Sequence, residues 1–308
     1  MFYRLKDNIK RGWFNFRCRE IIRTPPIRMI KNNVLILSMV SHVDLLMYLI
    51  AIKSFYYYLR EGQIVVINDG SLTPNDLGTL SYHIPDLRLI DIADIKTGNC
   101  PKGGTWERHL FIADNVKHHY IIQLDADTVT YQEMPEVVKC IKDNISFAIG
   151  TEPELLVRPM KYTCEKVKPW LSYKWGRDST QVISESNFCN LINYEKMLYV
   201  RCGSSFTGFA KNSFSRKNVE SFSQNMESII GLRWRGWGSE QVTSNFVIAN
   251  TPGACVLPYP KYASYFLNYG INYENSAFVH FIGINRFKNG LYMQFARYII
   301  KMINKFVK

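Results

Sequence analysis

Short apolar runs, each closed by polar or turn residues and followed by a longer mixed stretch, recur through the first half of the chain. Val34–Val40 (VLILSMV), Gln63–Asn68 (QIVVIN), residues 87–92, Tyr120–Leu124 and residues 146–150 have the length and branched apolar content of buried strands. The stretches between them predict helices. One spans 41–60, with Ser41 and Asp44 as N-cap and first-turn acid, and one is opened by Thr73-Pro74. Others are predicted over 105–118 and 134–142. Strands alternating with helices at this spacing predict an α/β fold with a doubly wound, mostly parallel sheet. The alternation loosens afterwards: residues 151–200 carry Pro153, Pro159, Pro169 and Gly176 and read as irregular. Residues 203–211 predict a strand whose glycines allow close backbone approach.

The terminal stretches differ from this body. Residues 1–33 hold nine Lys or Arg against Asp7 and Glu20, and residues 284–308 hold six and no acid, so most of the net +12 lies at the two ends. The expected organisation is an arm over 1–33, a body over 34–283 with halves 34–150 and 151–283, and a C-terminal segment over 284–308. The first arm mixes its cations with Phe2, Tyr3, Leu5, Ile9, Trp13, Phe14, Phe16, Ile21 and Ile22 and stops at Thr24-Pro25-Pro26. The last segment has polar groups at 294, 297, 301, 304, 305 and 308. Its opposite face is broadly apolar, with Leu291, Tyr292, Phe295, Tyr298, Ile299, Met302, Ile303 and Phe306. Both patterns suit an anionic membrane surface; a helix docked on the body with its charges in water describes the first arm equally well, while the wide apolar face beside a purely cationic one favours an interfacial helix for the last segment, with docking as its alternative. A neutral body argues against nucleic acid as a partner. Lacking a secretory h-region or a long apolar span, the chain is expected to be cytoplasmic, peripheral on the cytoplasmic face of a membrane. Seven cysteines without C-x-x-C spacing read as reduced thiols.

The run Tyr120-Ile121-Ile122-Gln123-Leu124-Asp125-Ala126-Asp127 delivers two carboxylates at the end of a predicted strand, the end at which open α/β sheets bind ligands. In extended backbone, positions i and i+2 point the same way, so Asp125 and Asp127 can reach one cation or bracket one phosphate. Such a pair is more often solvated loop polarity, and its company decides the reading.

That company resembles the GT-A fold nucleotide-sugar glycosyltransferases over about residues 34–288. Leu124 to Val129 looks like the metal-binding DxD strand of the glycogenin-like family 8 enzymes. Val279-His280-Phe281-Ile282-Gly283-Ile284-Asn285-Arg286 resembles their closing HFxGxxK motif, in which the histidine is a third metal ligand and the glycine and lysine meet the diphosphate. Arg286 stands at the lysine position, and Phe287-Lys288 replaces the usual Pro-Trp. Asn68-Asp69-Gly70-Ser71 resembles the DGS stretch of family 2 enzymes, whose aspartate contacts base or ribose. The stretch from Gly98-Asn99 to Arg108 resembles the segment before their DxD helix. Gly236-Trp237-Gly238-Ser239-Glu240-Gln241 resembles both the GWGxE stretch of inverting β-1,4-galactosyltransferases and the GGDQ stretch of the retaining glycogenin-like enzymes.

The resemblance implies a transferase moving a sugar from a nucleotide-sugar, a UDP-sugar first, to a glycan or lipid-linked glycan acceptor in surface polysaccharide assembly. It implies a Mn²⁺ (or Mg²⁺) site at Asp125, Asp127 and His280, with the imidazole favouring Mn²⁺. Asp69, Arg108, Gly283 and Arg286 would join the two aspartates in contacting the donor. Glu240 would serve as base if the reaction inverts; with Gln241 it would position the sugar if the reaction retains. Trp237 would stack on the acceptor, although packing is the commoner fate of a tryptophan. Two other classes stay open. A sugar nucleotidyltransferase would need a glycine-rich basic loop after the first strand, where this chain has Ser38-Met39-Val40-Ser41-His42. A non-catalytic membrane or nucleic-acid binder would rest on the basic arms alone.

Overall fold

The computed structural model describes residues 2–150, 155–266 and 270–305; Pro153, Phe306 and Lys308 of the patterns above lie outside them, as do the side chains of residues 2–6 and 284. In chain order, α1 (Phe2–Cys18) precedes β1 (Val34–Val40), α2 (Leu45–Leu59), β2 (Gln63–Asn68), α3 (Pro74–His83) and β3 (Arg88–Asp91). Next come α4 (Trp106–Asn115), β4 (Tyr120–Leu124), β5 (Thr128–Thr130), α5 (Pro135–Lys142) and β6 (Phe147–Ile149). Short pieces follow: β7 (Arg158–Pro159), α6 (Met160–Val167), α7 (Lys174–Asp178), α8 (Thr180–Ser186) and β8 (Leu198–Tyr199). The remainder is β9 (Gly203–Phe209), α9 (Arg216–Ile230), α10 (Ser239–Ala249), β10 (Cys255–Val256), β11 (Tyr262–Ser264), β12 (Phe278–His280) and α11 (Leu291–Lys305). The contacts divide into two compact units, residues 1–92, 122–138 and 258–308 in the first, 93–121 and 139–257 in the second.

In the first unit β1, β2 and β3 pair in parallel, with Leu37 opposite Val65 and Ile67 opposite Ile90, and β4 lies on the free side of β1. Runs such as VLILSMV suit this place because a parallel sheet covered on both faces has no polar side to show. The helix after β1 is apolar almost all round for the same reason: Met47, Tyr48, Leu49, Ile50, Ala51 and Ile52 are all buried. It starts later than the cap pattern predicts. Ser41 Oγ donates to Asp44 Oδ2 at 2.6 Å, and His42–Asp44 form a 3₁₀ turn before α2 begins at Leu45. Thr73 caps α3 as expected, in a box closed by Asp76, with Pro74 in the first turn. A second sheet, β11–β12–β5, is made of three-residue strands.

Both terminal segments belong to this unit. Phe14 of α1 stacks on Tyr292 of α11 at 4.4 Å, Arg11 pairs with Asp44, and Phe295 of α11 stacks on Tyr131 at 4.4 Å. The broad apolar face expected to lie in a membrane, at Tyr292, Phe295 and Ile299, is therefore buried against protein, and docking accounts for the periodicity of α11.

In the second unit β10 pairs in parallel with β6, and β6 pairs antiparallel with β9. The close approach predicted for β9 is met at Gly208, where an added Cβ would lie 2.3 Å from the Phe147 ring. Residues 158–186 correct the reading of irregular chain. They form α6, α7 and α8, whose eight, five and seven residues are too short to display a helical period, with Pro159 capping one and Pro169 opening the 3₁₀ turn Lys168–Ser172. Trp106 and Trp234 anchor the unit edge to face at 6.1 Å, each indole N–H donating to a serine hydroxyl, Ser239 at 2.9 Å and Ser223 at 2.8 Å.

Candidate functional site

Asp125, Ala126 and Asp127 form the turn between β4 and β5, with Thr128 Oγ1 donating to Asp125 O at 2.8 Å. The carboxylates thus converge through a turn and not through the alternation of extended backbone. Asp127 is buried and Asp125 half-buried. The next strand brings in a third donor. β12 runs antiparallel to β5 with His280 opposite Thr128, and Phe281 N donates to Asp127 O at 2.8 Å, so the imidazole arrives beside the turn. One ligand atom from each of Asp125, Asp127 and His280 lies within 4.8 Å of the others, and His280 Nε2 stands 3.4 Å from Asp127 Oδ1.

The third strand of this small sheet fixes the ring. β11 pairs in parallel with β12, Ser264 lies opposite His280, and Ser264 Oγ and His280 Nδ1 are 3.2 Å apart. When Nδ1 donates to that hydroxyl, Nε2 keeps the lone pair a metal takes, and its lone pair is on the side of the aspartates. Ser264 escaped the sequence reading because YAS is only three residues long and carries no motif.

Arg286 completes the cluster. Gly283 opens a 3₁₀ turn with φ of +46°, a left-handed conformation that glycine adopts without strain, and Arg286 N donates to Gly283 O at 3.1 Å. The chain folds back, and Arg286 Nη2 meets Asp127 Oδ2 at 2.6 Å while Nε donates to Phe281 O at 3.3 Å. Burial alone would raise the Asp127 carboxyl, but His280 and Arg286 overcome it and hold the group well below the carboxylate range. Asp127 stays ionised, with Oδ2 engaged by Arg286 and Oδ1 facing His280.

These residues fit a divalent cation. Two carboxylates against one guanidinium leave the cluster an excess negative charge, and the donor set of two oxygens and one imidazole nitrogen is that of a borderline first-row ion. The three ligand atoms, already within 4.8 Å of one another, would need only small side-chain shifts to hold one ion. Among the described residues this is the cluster of three such ligands that the fold assembles.

Asp69 follows β2 directly and accepts from Ser71 N at 3.0 Å and Ser71 Oγ at 2.6 Å, an Asx turn. Ser71 Oγ in turn accepts from His42 N at 2.9 Å, tying the loops after β1 and β2 together.

The other candidates lie in the second unit. Gly236 and Gly238 shape the entry to α10: a Cβ on Gly236 would meet Thr180 Oγ1 at 2.3 Å, and Gly238 has φ of +99°. Glu240 follows in the first turn of α10, 2% exposed, and accepts a hydrogen bond of 2.8 Å from Thr105 Oγ1. Thr105 was legible only as a helix start; its own backbone is left-handed, with φ of +74°. Gln241 donates through Nε2 to Cys202 O at 3.0 Å. Arg108 lies buried in the first turn of α4. Trp237 is 81% exposed, so the packing expected of it is not its fate.

No family model matches the sequence, and no curated protein matches it. Solved structures with a similar backbone include core-mannan synthase A from Aspergillus fumigatus in its Mn/GDP form, with TM-score 0.44 and 10% identity over 76% of this chain and 75% of that one. The galactosyltransferase LgtC in complex with donor and acceptor sugar analogues has TM-score 0.44 and 10% identity over 86% of this chain and 95% of its own. Mouse xyloside xylosyltransferase 1 in its apo form has TM-score 0.35 and 11% identity over 72% and 80%.

Proposed function

We propose that the chain is a metal-dependent glycosyltransferase that moves a sugar from a nucleotide-sugar, a UDP-sugar first, to a glycan or lipid-linked glycan acceptor in surface polysaccharide assembly. The observation that carries this reading is the convergence of Asp125 and Asp127, in the turn between β4 and β5, with His280 of β12, and Arg286 seated on Asp127. Asp125, Asp127 and His280 would hold Mn²⁺, or Mg²⁺. When bound, that ion supplies Lewis-acid neutralisation of the charge that grows on the departing nucleoside diphosphate.

The remaining work belongs to the chain's own groups. Ser264 orients the His280 ring. Arg286 keeps Asp127 ionised and, beside the same carboxylate, adds a fixed positive charge near the diphosphate. Gly283 supplies the turn that places it. Asp69 contacts base or ribose at the end of β2. Arg108 is the second cation assigned to the donor and Trp237 the acceptor platform, a role its exposure supports. Glu240 already accepts from Thr105 and is nearly inaccessible, and Gln241 is held on the Cys202 carbonyl, which favours positioning roles over abstraction of the acceptor proton. A sugar nucleotidyltransferase is the second reading. The loop after β1, Ser41-His42-Val43-Asp44, holds no glycine and one 3₁₀ turn, and so lacks the phosphate cradle that chemistry needs.

The test is a panel of nucleotide-sugars incubated with the protein, with and without Mn²⁺, and scored for free nucleoside diphosphate. The proposal expects release from one donor class that depends on the ion and increases with acceptor. Release of pyrophosphate from nucleoside triphosphate and sugar phosphate would favour the nucleotidyltransferase. No ion-dependent release from any donor would defeat the proposal, and no release of pyrophosphate would defeat the second reading.

A further inference from the structure

Helix α1 has two faces with different fates. At 100° per residue, Phe14 and Cys18 fall on one side, and both are buried; Arg11, on the same side, is tied to Asp7 at 3.6 Å and to Asp44. Ile9, Trp13 and Phe16 fall roughly opposite and are 65%, 55% and 54% exposed. A helix docked on protein needs apolar groups only on the docked face, and water disfavours a stripe of three large ones on the other. The docking explains Phe14 and leaves the outer stripe unexplained.

The outer stripe is bordered by cations. Lys10, Arg17 and Arg19 are exposed. The Arg17 guanidinium lies 5.5 Å from the Trp13 ring and that of Arg19 lies 4.7 Å from the Phe16 ring. Trp13 and Phe16 stack on each other at 6.0 Å, forming a continuous aromatic surface with positive charge on it. Beyond the helix, Ile22 is 47% exposed and Arg23 is exposed as well. No helix among the described residues is long and apolar enough to cross a membrane.

We infer that the outer face of α1, built on Ile9, Trp13 and Phe16 and bordered by Lys10, Arg17 and Arg19, is a docking surface for an anionic lipid bilayer. Charge complementarity selects the occupant: apolar side chains reach the acyl boundary while the arginines remain level with anionic headgroups. The inner face holds the helix to the first unit, so binding fixes that unit on the lipid. Membrane attachment thus belongs to the outside of α1, and not to the apolar face of α11, which is buried. The inference does not depend on which sugar donor the protein uses.

The test is co-sedimentation of the full chain with phosphatidylcholine vesicles, with and without phosphatidylglycerol, at low and physiological salt. The wild-type protein is expected to sediment with the anionic vesicles only and to release progressively as salt rises. Trp13→Ser combined with Phe16→Ser should lower the bound fraction at least about tenfold, and Arg17→Gln with Arg19→Gln should remove the salt-sensitive part. Both pairs are exposed, so melting temperature and nucleoside diphosphate release from a soluble donor should be unchanged. A blue shift of emission on anionic vesicles should vanish in Trp13→Phe. Wild-type protein left in the supernatant, or variants that bind like it, would overturn the inference. So would a dimer in sedimentation velocity that Trp13→Ser dissociates, because the occupant would then be a second copy.

Discussion

His280 is a ligand candidate because of its neighbours on both sides: Thr128 across one strand pair places it beside the aspartate turn, and Ser264 across the other holds Nδ1 at 3.2 Å. Groups that orient a liganding imidazole are worth about 10- to 100-fold in metal affinity. Ser264→Ala is therefore expected to weaken Mn²⁺ binding, measured by isothermal titration, by about that factor while leaving the melting temperature within a few degrees of wild type. Equal Mn²⁺ affinity in the variant would remove Ser264 from the site. At this scale the sequence was informative where a motif carried the residue, as with Asp125, Asp127 and His280. It was silent on Ser264 and on the hydrogen bond from Thr105 to Glu240, which exist only once strands and helices have met.

Among the elements, the long strands were legible because burial on both faces demands uninterrupted apolar runs, and β1, β2 and β4 agree with their predicted limits. The strands β5, β11 and β12 were not, because three residues hold no alternation, and yet their pairing brings His280 and Ser264 beside the aspartate turn. The helices of 160–186 were hidden for the same reason of length. Two glycines test the packing directly. Gly208→Ala places a methyl 2.3 Å from the Phe147 ring in β6 and should cost about 1–3 kcal/mol in urea unfolding. Gly12→Ala, in the exposed middle of α1 with nothing within 4 Å of its new Cβ, should stabilise by about 0.5–1 kcal/mol. Destabilisation by Gly12→Ala would contradict the placement of that face of α1 in solvent.

For the whole molecule, the basic arms inferred from charge are both parts of the first unit and not appendages, a distinction amphipathicity alone could not make, since docked and lipid-facing helices share a period. Two of the buried histidines, His83 and His109, have consequences for pH. Burial, aided by Lys53, pushes His83 down to about 4, and burial, aided by Arg108, pushes His109 down to about 3. In the unfolded chain both accept a proton near pH 6.5, so between there and their folded values the unfolded state binds more protons. Stability must then fall as pH drops through about 6.5 towards 4, and urea midpoints taken between about pH 7 and about pH 4.5 should decline steadily; a flat profile would mean the imidazoles are solvated.

The central claim is that the turn between β4 and β5, with His280, holds a divalent cation and through it a nucleoside diphosphate. Titration of UDP and GDP into the protein, with Mn²⁺ and with a chelator, for wild type and Asp127→Asn, reads that claim without requiring the acceptor. The predicted result is binding of one diphosphate that needs Mn²⁺ and weakens by about 100-fold or more in the variant, with both proteins folded by circular dichroism. Binding indifferent to the chelator, or equally tight in Asp127→Asn, would contradict it.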